Sequence, residues 1–301
     1  MSIYLPIAEM AVPIIGMLAI LIVVTATIVF LGSSGSILLP SLLYLFGMPA
    51  AVGVATCNVL VTAAALPGLI MYMRRGNIDR GLAMYLLMGG IVGVGASTLL
   101  VSWLNTIGQY HLFFAVTTSA VLLIAAFVAI GGHLAARSGK AQSVTRWKGT
   151  ICERIPLRLY FPTAMVYLNP LLPIGIGILS GLLMATTGTS AEVLLVPVVA
   201  YCFAAPINVS IGTTLLVITG IGSVTVMFQH ASGQTVDPVL FALLVVGVAA
   251  GTAIGARLSN IQISLRARLV LLALILLLVA LRSVYGLLAL PGELYSLRET
   301  I

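Results

Sequence analysis

The sequence predicts an all-α polytopic membrane protein built from two inverted-topology repeats, each with a broken or re-entrant helix followed by a short half-helix. Composition is the first reason, because 61% of the 301 residues are hydrophobic and only 7% are charged, whereas soluble domains carry about 25% charged residues. Apolar runs of about 17 residues or more suit membrane helices, while barrel strands would alternate at every second residue. A duplication and the placement of basic residues supply the other two reasons.

The duplication centres on two polar interruptions of apolar sequence. Residues 188–197 (Gly-Thr-Ser-Ala-Glu-Val-Leu-Leu-Val-Pro) align with residues 31–40 (Leu-Gly-Ser-Ser-Gly-Ser-Ile-Leu-Leu-Pro) at a constant offset. The same offset superimposes three further pairs: Pro206 on Pro49, Thr213 on Thr56 and Gly233 on Gly76. Each copy replaces a continuous membrane helix by small or hydroxyl-bearing residues and then begins a short apolar helix. In inverted-repeat transporters such breaks mark the binding site.

The apolar runs predict the helices in order. In the first half they cover residues 12–31, 37–46, 51–73, 82–104 and 112–134. In the second half they begin near residue 171, continue over 193–204, 207–228 and 239–256, and end with a last helix to about residue 290. The longest polar stretch lies between the halves. We therefore expect a first transmembrane repeat over 1–134, a basic cytoplasmic linker over 135–158 and a second repeat over 159–301.

Basic residues indicate the topology. All but two of the 14 Lys and Arg residues fall in residues 74–80, in the linker, or in the turn after residue 256. Because cytoplasmic loops are enriched in Lys and Arg, these three connections share the cytoplasmic side. The turn at 229–237, which corresponds to 74–80, has no Lys or Arg and lies outside. The repeats are therefore inverted and both termini are extracytoplasmic. Re-entrant and fully crossing broken segments fit equally well.

Small residues recur at four-residue spacing on two of the predicted helices. They are Gly89, Gly93 and Ser97 in the first half and Gly247, Gly251 and Gly255 in the second. Such stripes let helix backbones approach closely. We interpret them as packing surfaces, without a role in ligand binding.

The predicted binding site combines the two breaks. The first turns of the short helices, at residues 36–38 and 193–195, should point unpaired backbone N–H groups at a common centre, an arrangement that suits an anion. Hydroxyl groups and one amide lie in the breaks or on the helices that follow. The candidate substrate-binding residues are Ser33, Ser34, Gly35, Ser36, Thr56, Asn58, Thr189, Ser190, Glu192, Thr213 and Thr214. Membrane Ser and Thr can instead bond their own backbone.

Glu192 is the one acidic residue that lies between apolar runs. An ionisable group within the membrane costs about 2.5 kcal/mol or more, which makes it a candidate functional group. A permanently charged carboxylate would repel a bound anion, so we expect Glu192 to be the proton-coupling group. The alternative is a carboxylate that caps the helix beginning at Val193.

A family resemblance follows from these motifs. The Gly-Met-Pro-Ala-Ala-Val-Gly-Val-Ala-Thr stretch at 47–56, the Arg-Arg-Gly-Asn-Ile-Asp turn at 74–79 and the twofold repeat resemble the sulfite exporter TauE/SafE family over about residues 16–290. The resemblance implies a permease for sulfite, organosulfonates and related small anions. The family's usual Gly-x-Gly-Gly-Gly breaks differ here, since serines replace two glycines at 31–35 and a carboxylate replaces the last at 188–192.

The leading functional hypothesis is a secondary transporter of a small sulfur-containing or carboxylate anion, in the bacterial inner (cytoplasmic) membrane. Its partners would be the substrate, the lipid bilayer and protons. No phosphate-binding Gly-Lys-Ser/Thr loop is present, and the three cysteines lack metal-site spacing, so we expect no cofactor, metal or nucleic acid. A passive anion channel is one alternative. An intramembrane enzyme using Ser190 and Glu192 is another, although Ser190 has no His partner in its motif.

Overall fold

The structure, a computed structural model, describes residues 2–5, 10–31, 35–45, 50–137, 159–189, 191–203, 205–233, 236–258 and 265–289. Nearly all of these residues are helical. The first half contains α1 (Ile14–Phe30), a 3₁₀ helix (Gly35–Leu38), α2 (Leu39–Leu45), α3 (Ala50–Arg74), α4 (Arg80–Ile107) and α5 (Tyr110–Arg137). The second half contains α6 (Leu171–Thr187), α7 (Glu192–Pro197), a π-helix (Val198–Cys202), α8 (Ile207–Ala231), α9 (Pro238–Leu258) and α10 (Leu265–Ala289).

A short antiparallel β-hairpin precedes the first helix of each half. Strands β1 (Ser2–Leu5) and β2 (Met10–Pro13) pair before α1. Strands β3 (Leu159–Phe161) and β4 (Val166–Leu168) pair before α6. The apolar runs do not predict these hairpins, and the predicted start of the first helix at residue 12 is wrong because residues 12 and 13 belong to β2.

Local residue chemistry sets the ends of the long helices. Asp79 adopts an extended conformation before α4, and its carboxylate accepts a hydrogen bond from the N–H of Leu82 at 3.0 Å. Gly108, at φ 75°, ends the same helix in the left-handed conformation that suits glycine. Asp237 accepts hydrogen bonds from Val239 and Leu240 at the start of α9. Asp and a following proline are typical of helix N-termini.

Each of the most extensive helix contacts joins a helix of the first half to a helix of the second half. The most extensive contacts join α4 to α6, α5 to α10, α1 to α9 and α3 to α8. In the repeat α1 corresponds to α6 and α4 to α9, so the α4–α6 contact and the α1–α9 contact are equivalent. The other two pairs join equivalent helices to each other. This pattern is consistent with a twofold relation between the two repeats.

Glycines bring α4 and α6 into backbone contact. A Cβ atom added at Gly89 would overlap the carbonyl of Ile174, and one at Gly93 would overlap the carbonyl of Ile178. Both contacts advance in the same direction along the two helices, so α4 and α6 run parallel. Gly251 and Gly255 lie against the backbone of α1 in the same manner, and Gly247 lies against the side chain of Leu21. The predicted packing role of these glycines is confirmed.

Helices α3 and α8 run antiparallel. The beginning of α3 meets the end of α8, where Asn58 Nδ2 donates to Gln229 Oε1 at 3.3 Å. The end of α3 meets the beginning of α8, where a Cβ at Gly212 would lie 3.1 Å from the ring of Tyr72. The turn before α4 and the turn before α9 therefore lie at opposite ends of the molecule, as inverted repeats require.

The outer surface of the helices is apolar. Leu99, Phe127 and Trp103 are 60–76% exposed, as expected for side chains that face lipid. Four of the described helices, α3, α4, α8 and α9, are long and apolar enough to cross a membrane. The protein is therefore a multi-pass membrane protein, and α1, α5, α6 and α10 contain further apolar stretches.

Candidate functional site

The break after α6 is fixed by a glycine in contact with α3. Gly188 has φ 68°, and its N–H donates to the carbonyl of Met184 at 2.9 Å. A Cβ at this position would lie 3.1 Å from both Cα and O of Val54 and 3.3 Å from Cβ of Cys57. A larger residue would therefore strain the backbone and also push α6 away from α3.

Two threonine hydroxyls flank Gly188 and bond to each other. Thr187 Oγ1 donates to the carbonyl of Leu183 at 2.7 Å, and it lies 2.6 Å from Thr189 Oγ1. Because the proton of Thr187 is used by Leu183, the proton of Thr189 points at Thr187. Both side chains are buried. Thr189, a predicted substrate ligand, would have to rotate its hydroxyl before it could donate to an anion.

Helix α7 begins at Glu192, one residue earlier than predicted. The N–H groups of Leu194 and Leu195 both donate to the carbonyl of Ala191, at 3.1 and 2.9 Å. The expectation of unpaired N–H groups throughout residues 193–195 is therefore wrong, because a tight first turn satisfies two of them. Glu192 occupies the first position of α7 and is half-buried, and Ser190 lies outside the described residues.

The second break is closely packed in this structure. A cavity of about 20 Å³ lies between Ser180, Thr189 and Ala191 on one side and Val121 and Ile124 of α5 on the other. That volume holds about one water molecule. An anion the size of sulfite does not fit there without a movement of α5, α6 or α7.

The residues that follow the first break share a buried cluster with the same stretch of α5. Ser33 and Ser34 lie outside the described residues, whereas Gly35 and Ser36 form the start of the 3₁₀ helix. The next residues, Ile37 and Leu38, are buried in one cluster with Leu122 of α5. The segment 121–126 of α5 thus contributes to the buried cluster beside the first break and to the lining of the cavity at the second.

The repeated threonines have backbone partners. Thr56 Oγ1 donates to the carbonyl of Val52 at 2.7 Å. Thr213 Oγ1 accepts a hydrogen bond from the N–H of Asp79 at 3.1 Å, which ties α8 to the turn between α3 and α4. Both threonines are fully buried. These contacts give each hydroxyl a structural role, and their role in substrate binding stays a prediction.

Asn58 and Thr214 contain buried polar atoms with no described partner. Asn58 Oδ1 and Thr214 Oγ1 make no hydrogen bond within the described part of the chain, although both residues are 0% exposed. Buried polar atoms are normally paired, and an unpaired one often indicates a missing ligand or water. Of the predicted site residues, these two have the clearest unfilled hydrogen-bonding capacity.

Gln229 is a buried polar residue that sequence reasoning missed. Its Oε1 accepts from Asn58, and its Nε2 donates to the carbonyl of Ala185 at 3.2 Å. The side chain therefore connects α3, α8 and the last turn of α6 next to Gly188. An amide near the end of an apolar helix was the available signal, but the sequence did not show that it faces inward.

Asp79 is a second missed residue. The sequence analysis assigned it to a turn, yet it is 1% exposed. Its Oδ2 accepts hydrogen bonds from the N–H groups of Thr163 and Ala164, at 3.1 and 2.9 Å, in the loop between β3 and β4. Together with Leu82, three backbone donors satisfy the carboxylate, so Asp79 joins the first repeat to the start of the second.

Of the comparisons with known proteins, the one with protein-family models gives a match. A protein-family model described as "Sulfite exporter TauE/SafE" matches residues 17–283. Neither the curated proteins nor the solved structures gave a match. The matched residues include both broken segments, both glycine stripes and the connection between the halves.

Proposed function

Because the chain belongs to the sulfite exporter TauE/SafE family, we propose that it is a secondary transporter that moves a small anion across the cytoplasmic membrane by alternating access. Family membership implies a membrane transporter of sulfur-containing anions such as sulfite. The substrate is sulfite, an organosulfonate or a related sulfur-containing or carboxylate anion. Repeats 1–134 and 159–301, joined by a cytoplasmic linker at 135–158, are the two moving units.

The observation that carries this proposal is the position of the two broken segments. The segment 121–126 of α5 shares a buried cluster with the first break and lines the cavity at the second, and Gly188 lies directly against α3. Helices that break at membrane depth expose backbone donors which a continuous helix would use internally. Substrate binding at the breaks would then require α5, α6 and α7 to separate, and such a movement suits alternating access.

The packed second break also supports a transporter over a passive channel. A channel needs a continuous water-filled path, whereas the space beside Thr189 holds about one water molecule. An intramembrane enzyme has weaker support, because Ser190 and Glu192 have no histidine in their motif to act as a base. We therefore keep both as outcomes that the experiment below would reveal.

Glu192 is the proposed proton-coupling group. At a separation of 4 Å and an effective dielectric constant of 20, an ionised carboxylate would repel a bound monovalent anion by about 4 kcal/mol. Protonation removes this repulsion. Glu192 begins α7 beside the break, so binding of a proton and binding of the anion would favour each other.

The test is accumulation of labelled sulfite in proteoliposomes under an imposed pH gradient. Wild-type protein should concentrate the anion. The Glu192→Gln variant keeps the shape of the side chain but fixes a neutral state, so it should bind substrate without concentrating it. Glu153→Gln, in the linker, is the matched control and should behave like wild type.

Three results would contradict parts of the proposal. Equal accumulation by Glu192→Gln and wild type would mean that Glu192 only caps α7. Flux that never exceeds equilibrium in the wild-type protein would indicate a channel, and chemical turnover without flux would indicate an enzyme.

A further inference from the structure

A polar cavity that contains none of the predicted site residues lies at the end of the molecule that carries the turn after α8. It has a volume of about 430 Å³ and lies between the second half of α4 and the last turns of α6 and α8. Ser97, Ala185 and Gln229 form its buried floor. The floor therefore includes the last turn of α6, next to the break at Gly188.

The rim of the cavity is exposed and also polar. It includes the side chains of Ser102, Asn105, Thr106 and Ser232. None of the residues that the structure assigns to the lining is charged. The cavity thus offers hydroxyl and amide groups, and among its described lining residues there is no Lys or Arg to neutralise a ligand.

The floor supplies two hydrogen-bond donors that have no other described use. Ser97 is 1% exposed, and its Oγ has no hydrogen-bond partner within the described part of the chain. A glutamine amide carries two N–H protons, and Gln229 uses one of them on the carbonyl of Ala185. An oxygen of a ligand on this floor could accept from Gln229, and also from Ser97 once the Ser97 hydroxyl, which is fully covered here, rotates toward the cavity.

We propose that this cavity is a binding site for a monovalent oxyanion, either hydrogen sulfite or a small organosulfonate, on its way to the broken helices. The Born cost of removing an ion from water increases with the square of its charge, so a dianion without a cationic partner is strongly disfavoured. Neutral donors can stabilise a single negative charge spread over several oxygens. The site therefore selects monovalent anions over dianions such as sulfate and the sulfite dianion.

The dimensions suit this ligand class. A cavity of about 430 Å³ holds a sulfonate group, a short organic chain and several waters, since liquid water occupies about 30 Å³ per molecule. The anion would place its oxygens at Ser97 and Gln229. Its organic group would lie beside Val101, which supplies apolar lining.

The proposal rests on the proposed transport function but is tested by binding alone. Isothermal titration calorimetry on purified, detergent-solubilised protein would measure the affinity for ethanesulfonate and for sulfate. We expect ethanesulfonate to bind at least about tenfold more tightly than sulfate. Ser97→Ala should weaken ethanesulfonate binding by about tenfold, the loss expected for a hydrogen bond to a charged group.

Two further variants add a negative charge to the cavity, one at a buried position and one at an exposed position where folding should not be affected. Gln229→Glu introduces a negative charge at the floor, and Ser232→Asp introduces one at the exposed rim, where folding tolerates it. Both should weaken ethanesulfonate binding. Ser223→Ala removes an exposed hydroxyl that bonds within α8 and should leave binding unchanged.

Gel filtration would first show that Ser97→Ala and Ser232→Asp are folded. If both then bind ethanesulfonate with unchanged affinity, the proposed site is wrong. Tighter binding of sulfate than of ethanesulfonate would overturn the selectivity. Normal binding without any accumulation in liposomes would instead overturn the transport function and leave the site intact.

Discussion

The α1–α9 and α4–α6 contacts are equivalent in the repeat, but they differ at one end. Gly251 and Gly93 both lie against the backbone of the partner helix. One turn further on, a Cβ at Gly255 would lie 2.6 Å from the carbonyl of Ala26, so α9 still touches α1. Counted from the matching N-terminal residues Asp79 and Asp237, the equivalent residue on α4 is Ser97, which is one of the residues that line the large cavity. At this level the α1–α9 interface is closely packed, whereas the α4–α6 interface borders a cavity.

A second equivalent pair shows the same difference. Asn58 and Gln229 form a buried polar link at the open end, and the repeat places Leu215 and Tyr72 at the corresponding positions of the other end. Leu215 packs against Gly68, and Tyr72 packs against Gly212. One end of the molecule is therefore polar beside a break, and the other is filled by large side chains.

This difference indicates how a duplicated scaffold can bind a polar ligand. The tight glycine contacts occur in both copies and hold the helices together. The polar residues Asn58, Ser97 and Gln229 come from both copies but lie at one end of the molecule, where they leave space beside the last turn of α6. Packing is thus a property of the repeat, whereas ligand binding depends on where the copies diverge.

The largest expected effect is on the shared contacts. Gly93→Ala and Gly251→Ala should each destabilise the protein by about 1–3 kcal/mol, because overpacking forces the backbones apart. Thermal unfolding in detergent would measure this. Gly95→Ala is the control within α4, since a Cβ there meets nothing within 4 Å and alanine favours the helix. If Gly95→Ala were as damaging as Gly93→Ala, close contact would not be the cause.

An intermediate effect is expected where the copies diverge. Gly255→Ser should cost about 1–2 kcal/mol, because its Cβ would press on the backbone of α1. Ser97→Gly should cost only about 0.5 kcal/mol, from the lower helix propensity of glycine. Urea or SDS unfolding of the two variants gives the comparison. Equal costs would show that the two interfaces are equally tight at this level.

The smallest expected effect concerns the polar link. Asn58→Leu, which introduces the residue of the other repeat, should lower stability by about 1 kcal/mol because Gln229 Oε1 loses its donor. A double-mutant cycle with Gln229→Leu should give a coupling energy of about 0.5–1 kcal/mol. A coupling energy near zero would mean that the 3.3 Å contact contributes no stability.

The long helices could be predicted because apolar runs end at strong turn signals. The predicted helices at 51–73 and 207–228 compare with Ala50–Arg74 and Ile207–Ala231 in the structure. Asp79 and Asp237 mark helix starts by local chemistry. The duplication further showed which segments correspond, and the second break was located correctly between α6 and α7, although its sequence did not reveal the tight first turn of α7.

The hairpins and the cavity could not be predicted in the same way. Strands β3 and β4 are short, and the loop between them is held by Asp79 from the other repeat, which no local pattern reveals. Ser97 continued a glycine stripe and was therefore interpreted as packing. Its burial without a partner depends on the distance between α4 and α6, and that distance is a tertiary property.

We propose that anions reach the breaks through the end of the molecule that contains Ser97 and Gln229. Site-directed labelling of Ser97→Cys in intact cells tests this path most directly. Cys152 and Cys202 would first be replaced by serine, and a cationic, membrane-impermeant methanethiosulfonate would be added from outside. We predict that the reagent modifies Ser97→Cys and that ethanesulfonate slows this reaction. Ser223→Cys, on the exposed face of α8, should not react. Absence of labelling from outside, or a labelling rate that ethanesulfonate does not change, would contradict it.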